Sequence, residues 1–374
     1  MQLLHRTIES IGPLDAAAMA AARARQAQLT KPAGSLGRLE ALSVQLAGIA
    51  GRPLPSVARK AVLTLAADHG VAVEGVSLYP QAVTRQMVAN FVRGGAAINA
   101  LARAAGARVV VADVGVAADL TEMAGEVAGV PPPARGDVRF VGAKLARGTA
   151  NLAAAPAMPR DLAVRAIETG IDLVADEHTR GLDTVALGDM GIGNTTAASC
   201  VVAALTGAAV EAVTGRGTGL DDAQLAHKRV VVARALAAHA PDPADPLGVL
   251  AKVGGLEIAG LAGVALGAAA RRVAVVLDGF IAGTAALVAA RLAPAAVPYM
   301  IAAHRSVEPG HRVVLEQLRL EPLLDLELRL GEGTGAALAF PLLDAACRVL
   351  AEMATFASAG VATANDGASG TWQG

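Results

Sequence analysis

Short runs of strand length, each closed by a glycine or a polar residue and followed by a stretch of helical periodicity, constrain this chain more than any other feature. They cover residues 61–67, 109–113, 184–187, 273–277, 297–302 and 324–330. Runs of this length, bounded by turn residues, read as strands that helices cover. Regular alternation with helices implies a parallel sheet with right-handed crossovers. Six such runs predict a Rossmann-like α/β domain with a six-stranded parallel sheet and helices on both faces; a closed barrel would need two more strands. Composition agrees: 54% of residues are apolar but only 2% aromatic, which suits Ala/Val/Leu helices and strands buried on both sides. The first 55 residues differ. Residues 16–28 and 36–50 carry helical spacing, joined by a Pro/Gly loop over residues 29–38.

The formal charge of −1, from 32 basic and 33 acidic residues without a basic run, argues against nucleic acid or a membrane surface as partner and for small molecules. The most apolar helical stretch, residues 256–270, carries Glu257, stops at Arg271 and Arg272, and is too short to span a bilayer. The start of the chain lacks a basic-then-apolar signal pattern. A cytoplasmic protein is expected. Cys200 and Cys347 lie far apart in apolar surroundings and are expected as buried free thiols. Residues 125–136, with three consecutive prolines, and residues 241–246 read as loops, and the small polar tail 358–374 as disordered.

The chemistry sits where the runs end: Asp68-His69-Gly70, Asp113-Val114-Gly115, Asp189 through Thr196, Asp278-Gly279, His304-Arg305-Ser306 and Gly331-Glu332-Gly333. In open parallel sheets ligands bind outside the carboxyl ends of the strands, so six polar endings point to one cleft. Gly191 and Gly193 allow a ligand to approach the backbone, and Asn194 and Thr195 stand at a helix start. The segment is either an anion site or an ordinary capped turn. It matches neither a Walker phosphate loop nor the dinucleotide fingerprint. Gly215-Arg216-Gly217-Thr218-Gly219 and Gly331-Glu332-Gly333-Thr334-Gly335 share one frame, the first presenting a cation and the second a carboxylate. Arg216 reads as an anion ligand or a surface cation, Glu332 as a held base or a solvated loop acid. Asp68 and His69 read as an acid–base pair or a locally capped histidine. His304, Glu308 and His311 fit no standard zinc spacing. Asp221-Asp222 would suit a magnesium-dependent transferase using a pyrophosphate donor, but they look like first-turn helix acids. A non-catalytic nucleotide- or corrinoid-binding module would not need Glu332 in a rigid loop.

Taken in order, Lys31-Pro32-Ala33-Gly34-Ser35-Leu36-Gly37, Asp68-His69-Gly70-Val71, Gly191-Ile192-Gly193-Asn194-Thr195-Thr196, the two G-x-G-T-G segments, His304-Arg305-Ser306 and Glu308-Pro309-Gly310-His311 resemble nicotinate-nucleotide–dimethylbenzimidazole phosphoribosyltransferases over residues 29–340. The resemblance implies a small helical domain from both chain ends (1–55 with 341–374), a large α/β domain (56–340) and a homodimer. It implies transfer of ribose 5-phosphate from nicotinate mononucleotide to 5,6-dimethylbenzimidazole, with inversion at C1′. The products are α-ribazole 5′-phosphate, for the cobalamin lower-ligand nucleotide, and nicotinate. No metal or organic cofactor is expected. Carried across, the catalytic base is Glu332. Ser77, Gln81 and Gln86 belong to the benzimidazole pocket, and Gly191, Gly193, Asn194, Thr195, Gly215, Arg216 and Gly217 to the phosphate site. Ser306, Gly331 and Gly333 complete the substrate contacts. The family often has Glu where this chain has Asp189, a ribose or base contact one methylene shorter.

Overall fold

The computed structural model describes residues 1–123, 125 and 136–363. Most of the loop expected at 125–136 and residues 364–374 of the tail lie outside them. The sheet has six parallel strands, β1 Lys60–Ala67, β2 Ala107–Gly115, β3 Val138–Gly142, β4 Thr184–Met190, β5 Ala274–Leu277 and β6 Met300–Ala302. Their order is β3-β2-β1-β4-β5-β6, so the winding reverses between β1 and β4 and opens a crevice at their carboxyl ends.

Two strands differ from the sequence reading. Residues 324–330 are not a strand; Leu324 makes one isolated parallel bridge to His304. The run alternates Leu with charge, Leu326 and Leu330 are about half exposed, and Glu327 takes a φ of 56° that breaks an extended backbone. The sixth strand is instead β3, an edge strand in which only Val138 is buried. β6 is also shorter than the run at 297–302. Its first residues form a 3₁₀ turn, Pro294–Tyr299, because Pro298 has no N–H for a ladder.

The chain forms two compact units, Met1–Gly12 with Arg59–Ala339 and Pro13–Ala58 with Phe340–Gly374. The first twelve residues thus go with the α/β unit rather than with the helical one expected for 1–55. Helix Gln2–Glu9 is amphipathic and buries Leu4 and Thr7. The Leu4 amide donates to Glu168 at 3.1 Å, and the terminal ammonium lies 2.6 Å from the same carboxylate. In the helical unit, Asp15 caps helix Ala16–Gln26 through the Ala18 amide, and Ala22, Val44, Ala47 and Leu350 form a small core.

Inside the α/β unit, helices Arg160–Thr179 and Leu256–Ala270 meet backbone to backbone. A β-carbon at Gly170 would stand 1.8 Å from the Gly260 carbonyl oxygen, and one at Gly263 would stand 1.9 Å from that of Ile167. Close packing through glycine explains why a large core needs so few aromatic residues. Helix Leu256–Ala270 has fifteen residues, all buried but the last. Among the described residues Thr334–Glu352 is long and apolar enough to cross a membrane, and over half of its apolar window is buried within the protein. Cys200 and Cys347 are buried and free of disulfides.

Candidate active site

A cavity of about 560 Å³ opens at the carboxyl ends of β4, β5 and β6. Its apolar lining includes Val76, Tyr79, Val83, Met87 and Phe280; its polar lining includes Asp189, Asn194, Thr195, His304, Ser306, Glu308, Arg329 and Glu332. A lining of both kinds suits an aromatic base together with a charged sugar phosphate.

Glu332 is held by its backbone. It has a φ of 64° between Gly331 at 83° and Gly333 at 90°. Left-handed backbone at a non-glycine residue costs about 1–2 kcal/mol. Its carbonyl takes a bond from Thr64 Oγ1 at 3.1 Å and lies where a β-carbon of Gly188 would be, 2.4 Å away. A glycine inside β4 therefore serves close approach of the Glu332 turn. The Glu332 amide donates to the Asp189 carbonyl at 3.3 Å, and the carboxylate accepts the Ile98 amide at 3.3 Å. Burial, opposed by that hydrogen bond and helped by the charge of Asp278, pushes its carboxyl up to about 7. A carboxylate titrating near neutrality is matched to general-base work. The solvated-acid alternative does not fit, because Glu332 is 4% exposed.

The anion-site candidate is the turn into helix Asn194–Thr206, with Gly193 as N-cap at φ 94°. First-turn amides of a helix lack intrahelical acceptors. Here Asn194 and Thr196 close back on the carbonyls of Gly191 and Gly193, while Gly193 and Thr195 line the cavity. Beneath them lies Lys228, fully buried. Its ammonium donates to Thr195 Oγ1 at 2.8 Å and to the Gly215 carbonyl at 3.3 Å. Burial, offset by nearby Glu308, lowers it to about 8. The motif reading missed Lys228. The signal was present: it completes the buried stripe Leu225, Val231, Val232, Ala235 of helix Asp222–His239, and a lysine in an apolar stripe is seldom incidental.

Other predicted residues are placed differently. Asp189 lines the cavity and accepts the Asn194 side-chain amide at 2.9 Å. Burial, then the charges of Asp278, Glu257 and Glu332, raise it well above its ordinary value, against the Asn194 hydrogen bond. Ser77 lines the cavity and contacts Thr218 Oγ1 at 3.3 Å. Gln81 and Gln86 do not line it. Gln86 is exposed on helix Ala82–Arg93, whose Val83 and Met87 face the cavity instead. Arg216 is turned away, bonded to the Leu220 carbonyl at 2.8 Å and to Asp222. Gly215 packs on Glu308. Gly217 lines the cavity, but its amide is taken by Glu308 Oε1 at 2.8 Å. Ser306 and Gly331 line the cavity, and Gly333 packs behind it on Val62.

The histidines also pair otherwise than expected. His69 meets Glu257 at 2.6 Å, both without exposure, while Asp68 accepts the Ala117 amide at 2.8 Å. His69 lies against Gly191 and Gly193, so the glycine-packed helix that carries Glu257 supports the candidate anion-site turn. His311 Nδ1 accepts the Ser306 amide at 3.0 Å, which places its proton on Nε2, and burial holds the ring down to about 3. Asp221 caps its helix in a box with Gln224, as expected of first-turn acids. Among the described residues no group of three or more His, Cys, Asp or Glu could hold a metal ion.

Comparison with known proteins decides the family. A phosphoribosyltransferase family model matches residues 11–361. The nicotinate-nucleotide–dimethylbenzimidazole phosphoribosyltransferase of Chloroflexus aggregans is 62% identical over 96% of this chain and 98% of its own. The chain belongs to that family. A relative of the same name from Roseiflexus sp. is 59% identical over 96% of this chain and 98% of its own. The crystal structure of the enzyme of that name from Thermus thermophilus is similar at 48% identity and a TM-score of 0.84, covering 94% of this chain and all of that one. Family membership and the six-stranded parallel sheet therefore agree with the sequence reading, although one of its strands was misplaced.

Proposed function

We propose that this chain transfers ribose 5-phosphate from nicotinate mononucleotide to 5,6-dimethylbenzimidazole, giving α-ribazole 5′-phosphate and nicotinate for the cobalamin lower ligand, with Glu332 as general base. The observation that carries the reading is a buried carboxylate, raised to about 7 by burial and fixed by strained backbone, at the wall of a cavity with both apolar and polar lining. The C1′–N bond breaks with its electron pair going to the pyridinium, so nicotinate leaves without needing a proton. One benzimidazole nitrogen forms the new bond to C1′. The proton on the other nitrogen passes to Glu332, and the product ring is neutral. Nothing else in this balance requires an acid, a metal or an organic cofactor; the remaining work is positioning.

In this reading the phosphate rests on the turn at Gly193–Thr195 with the Lys228 ammonium beneath. The base lies among Tyr79, Val83 and Met87, beside Ser77. Asp189 and Ser306 contact the sugar or a ring. Arg216 supports the neighbouring loop rather than the ligand. The working form is a cytoplasmic homodimer. The test is direct: incubate the protein with nicotinate mononucleotide and dimethylbenzimidazole, with and without chelator, and look for α-ribazole phosphate by mass. Product is expected in both arms. Its absence with folded protein removes the reaction, and its loss with chelator alone removes the metal-free mechanism.

A further inference from the structure

Asp278 follows β5, is fully buried, and is not part of the cavity lining. Its oxygens serve the segment after Glu332. Oδ2 accepts the Gly333 amide at 3.1 Å; Oδ1 accepts those of Gly335 at 2.7 Å and Ala336 at 3.1 Å. Oδ1 also lies 3.4 Å from Nε2 of His304. A carboxylate at the start of helix Thr334–Glu352 satisfies donors that the helix leaves open and meets the positive end of its dipole. A helix usually draws this cap from the residue just before it. Here the local candidates are two glycines without side chains and Glu332, which lines the cavity. The cap comes from a distant strand end instead.

We propose that Asp278 is the positioning residue for Glu332, clamping the left-handed Gly331-Glu332-Gly333 turn through three amides so that the Glu332 carboxylate stays at the cavity wall. The proposal rests on Glu332 being the general base. Asp278 touches no reacting atom; it acts through the turn and through its charge. Asp189 lends Glu332 a backbone carbonyl, and the Ile98 amide donates to its carboxylate. Further out, His304 stands beside Asp278, and the charge of Glu257 acts on Asp189. Of the neighbouring charges, that of Asp278 helps burial to keep the Glu332 proton on at neutral pH.

The experiment introduces Asp278→Asn and Asp278→Ser into the parent and into the Glu332→Gln variant. Serine keeps one cap acceptor without charge. Turnover per folded molecule, the nucleotide KM and the pH–rate profile are measured, with melting temperature on the same samples. In the parent background turnover is expected to fall about 10–10²-fold, the scale of a misplaced catalytic group, with KM within about threefold. The acid limb is expected to move down by about half a pH unit or more, because a neighbouring negative charge has gone. In the Glu332→Gln background neither substitution lowers turnover further. An unmoved acid limb, or equal losses in both backgrounds, overturns the proposal. So does failure of both variants to fold, which would make Asp278 a folding residue only. If Glu332→Gln alone turns over within about threefold of the parent, the base assignment itself is wrong. If Glu332→Gln is inactive while the Asp278 variants match the parent, only the clamp is wrong.

Discussion

Gly215–Gly219 and Gly331–Gly335 carry the same G-x-G-T-G frame and fold differently. In the second, Glu332 itself takes a positive φ, is 4% exposed and lines the cavity. In the first, Arg216 has an ordinary φ, positive values falling on Gly217 and Gly219. Its side chain is half exposed and bonds to Asp222. Shared spacing fixed only where glycine is tolerated. What separated the loops was the partner offered to the central side chain: a local acid on the next helix for Arg216, the distant Ile98 backbone amide for Glu332. Strain is retained where a side chain must be presented and is absent where it can be satisfied at home.

The sharpest way to break this contrast is to neutralise both centres. Glu332→Gln should lower turnover by about 10²–10⁴-fold, the usual contribution of a general base, with nucleotide affinity nearly unchanged. Arg216→Gln should cost less than about tenfold, since exposed ion pairs contribute little. Steady-state turnover and nucleotide binding, measured on both variants, decide it. Equal losses would make the two loops functional equivalents after all.

Lys228→Met should weaken nicotinate mononucleotide binding by about 10–10²-fold, the range for a charge-assisted contact. Calorimetry against nicotinate mononucleotide and against nicotinate riboside separates the phosphate contact from general damage: the riboside should lose little. Equal losses for both would take the phosphate away from this loop.

Acid–base linkage sharpens the contrast further. The Glu332 carboxyl is raised from 4.5 to about 7, so between those values the folded state holds a proton that the unfolded state has released. Stability attributable to this group is therefore full below about pH 4.5 and is lost as pH rises through 7. Glu332→Gln removes the burden. Its advantage over the parent in denaturant melts should grow from near zero at about pH 4 to on the order of 2 kcal/mol at pH 8. Arg216→Gln should show no such trend.

The smallest effect concerns backbone. Glu332→Gly should stabilise by about 1 kcal/mol through relief of the left-handed strain. Arg216→Gly should destabilise by about 0.5–1 kcal/mol through lost order alone. Melts at pH 5, where the Glu332 charge is off, give the cleanest comparison.

Much of the crevice was legible, because the polar endings at 189–196, 278–279, 304–306 and 331–333 all supply residues to the cavity, while Asp68-His69-Gly70 and Asp113-Val114-Gly115 do not line it. The sequence did not reveal which residues pair across that crevice. The acid adjacent to His69 was Asp68, yet its partner is Glu257 from another helix. Adjacent side chains on an extended backbone point apart, so neighbours in sequence were the wrong place to look. Residues 324–330 had the period of a strand and no sheet to receive it beyond one bridge. Gln86 had the right chemistry on the wrong face of its helix, a phase that Val83 and Met87 would have disclosed. Lys228 was readable from periodicity once charge was treated as the anomaly rather than the background.

The glycine contacts between helices Arg160–Thr179 and Leu256–Ala270 bear on how this protein can change over time. Helices that touch through their backbones have no layer of side chains to rearrange, so one cannot slide past the other without first lifting away. Elsewhere in the core a lost methyl leaves a small void that neighbours partly close. At Gly170 and Gly263 the tolerance is one-sided, because an added methyl would run into the facing helix backbone. Since Glu257 rides on one of those helices and supports His69, displacement of that helix would reach the turn at Gly191 and Gly193. Added bulk at Gly170 or Gly263 is therefore expected to cost more than the loss of one methyl elsewhere in the core.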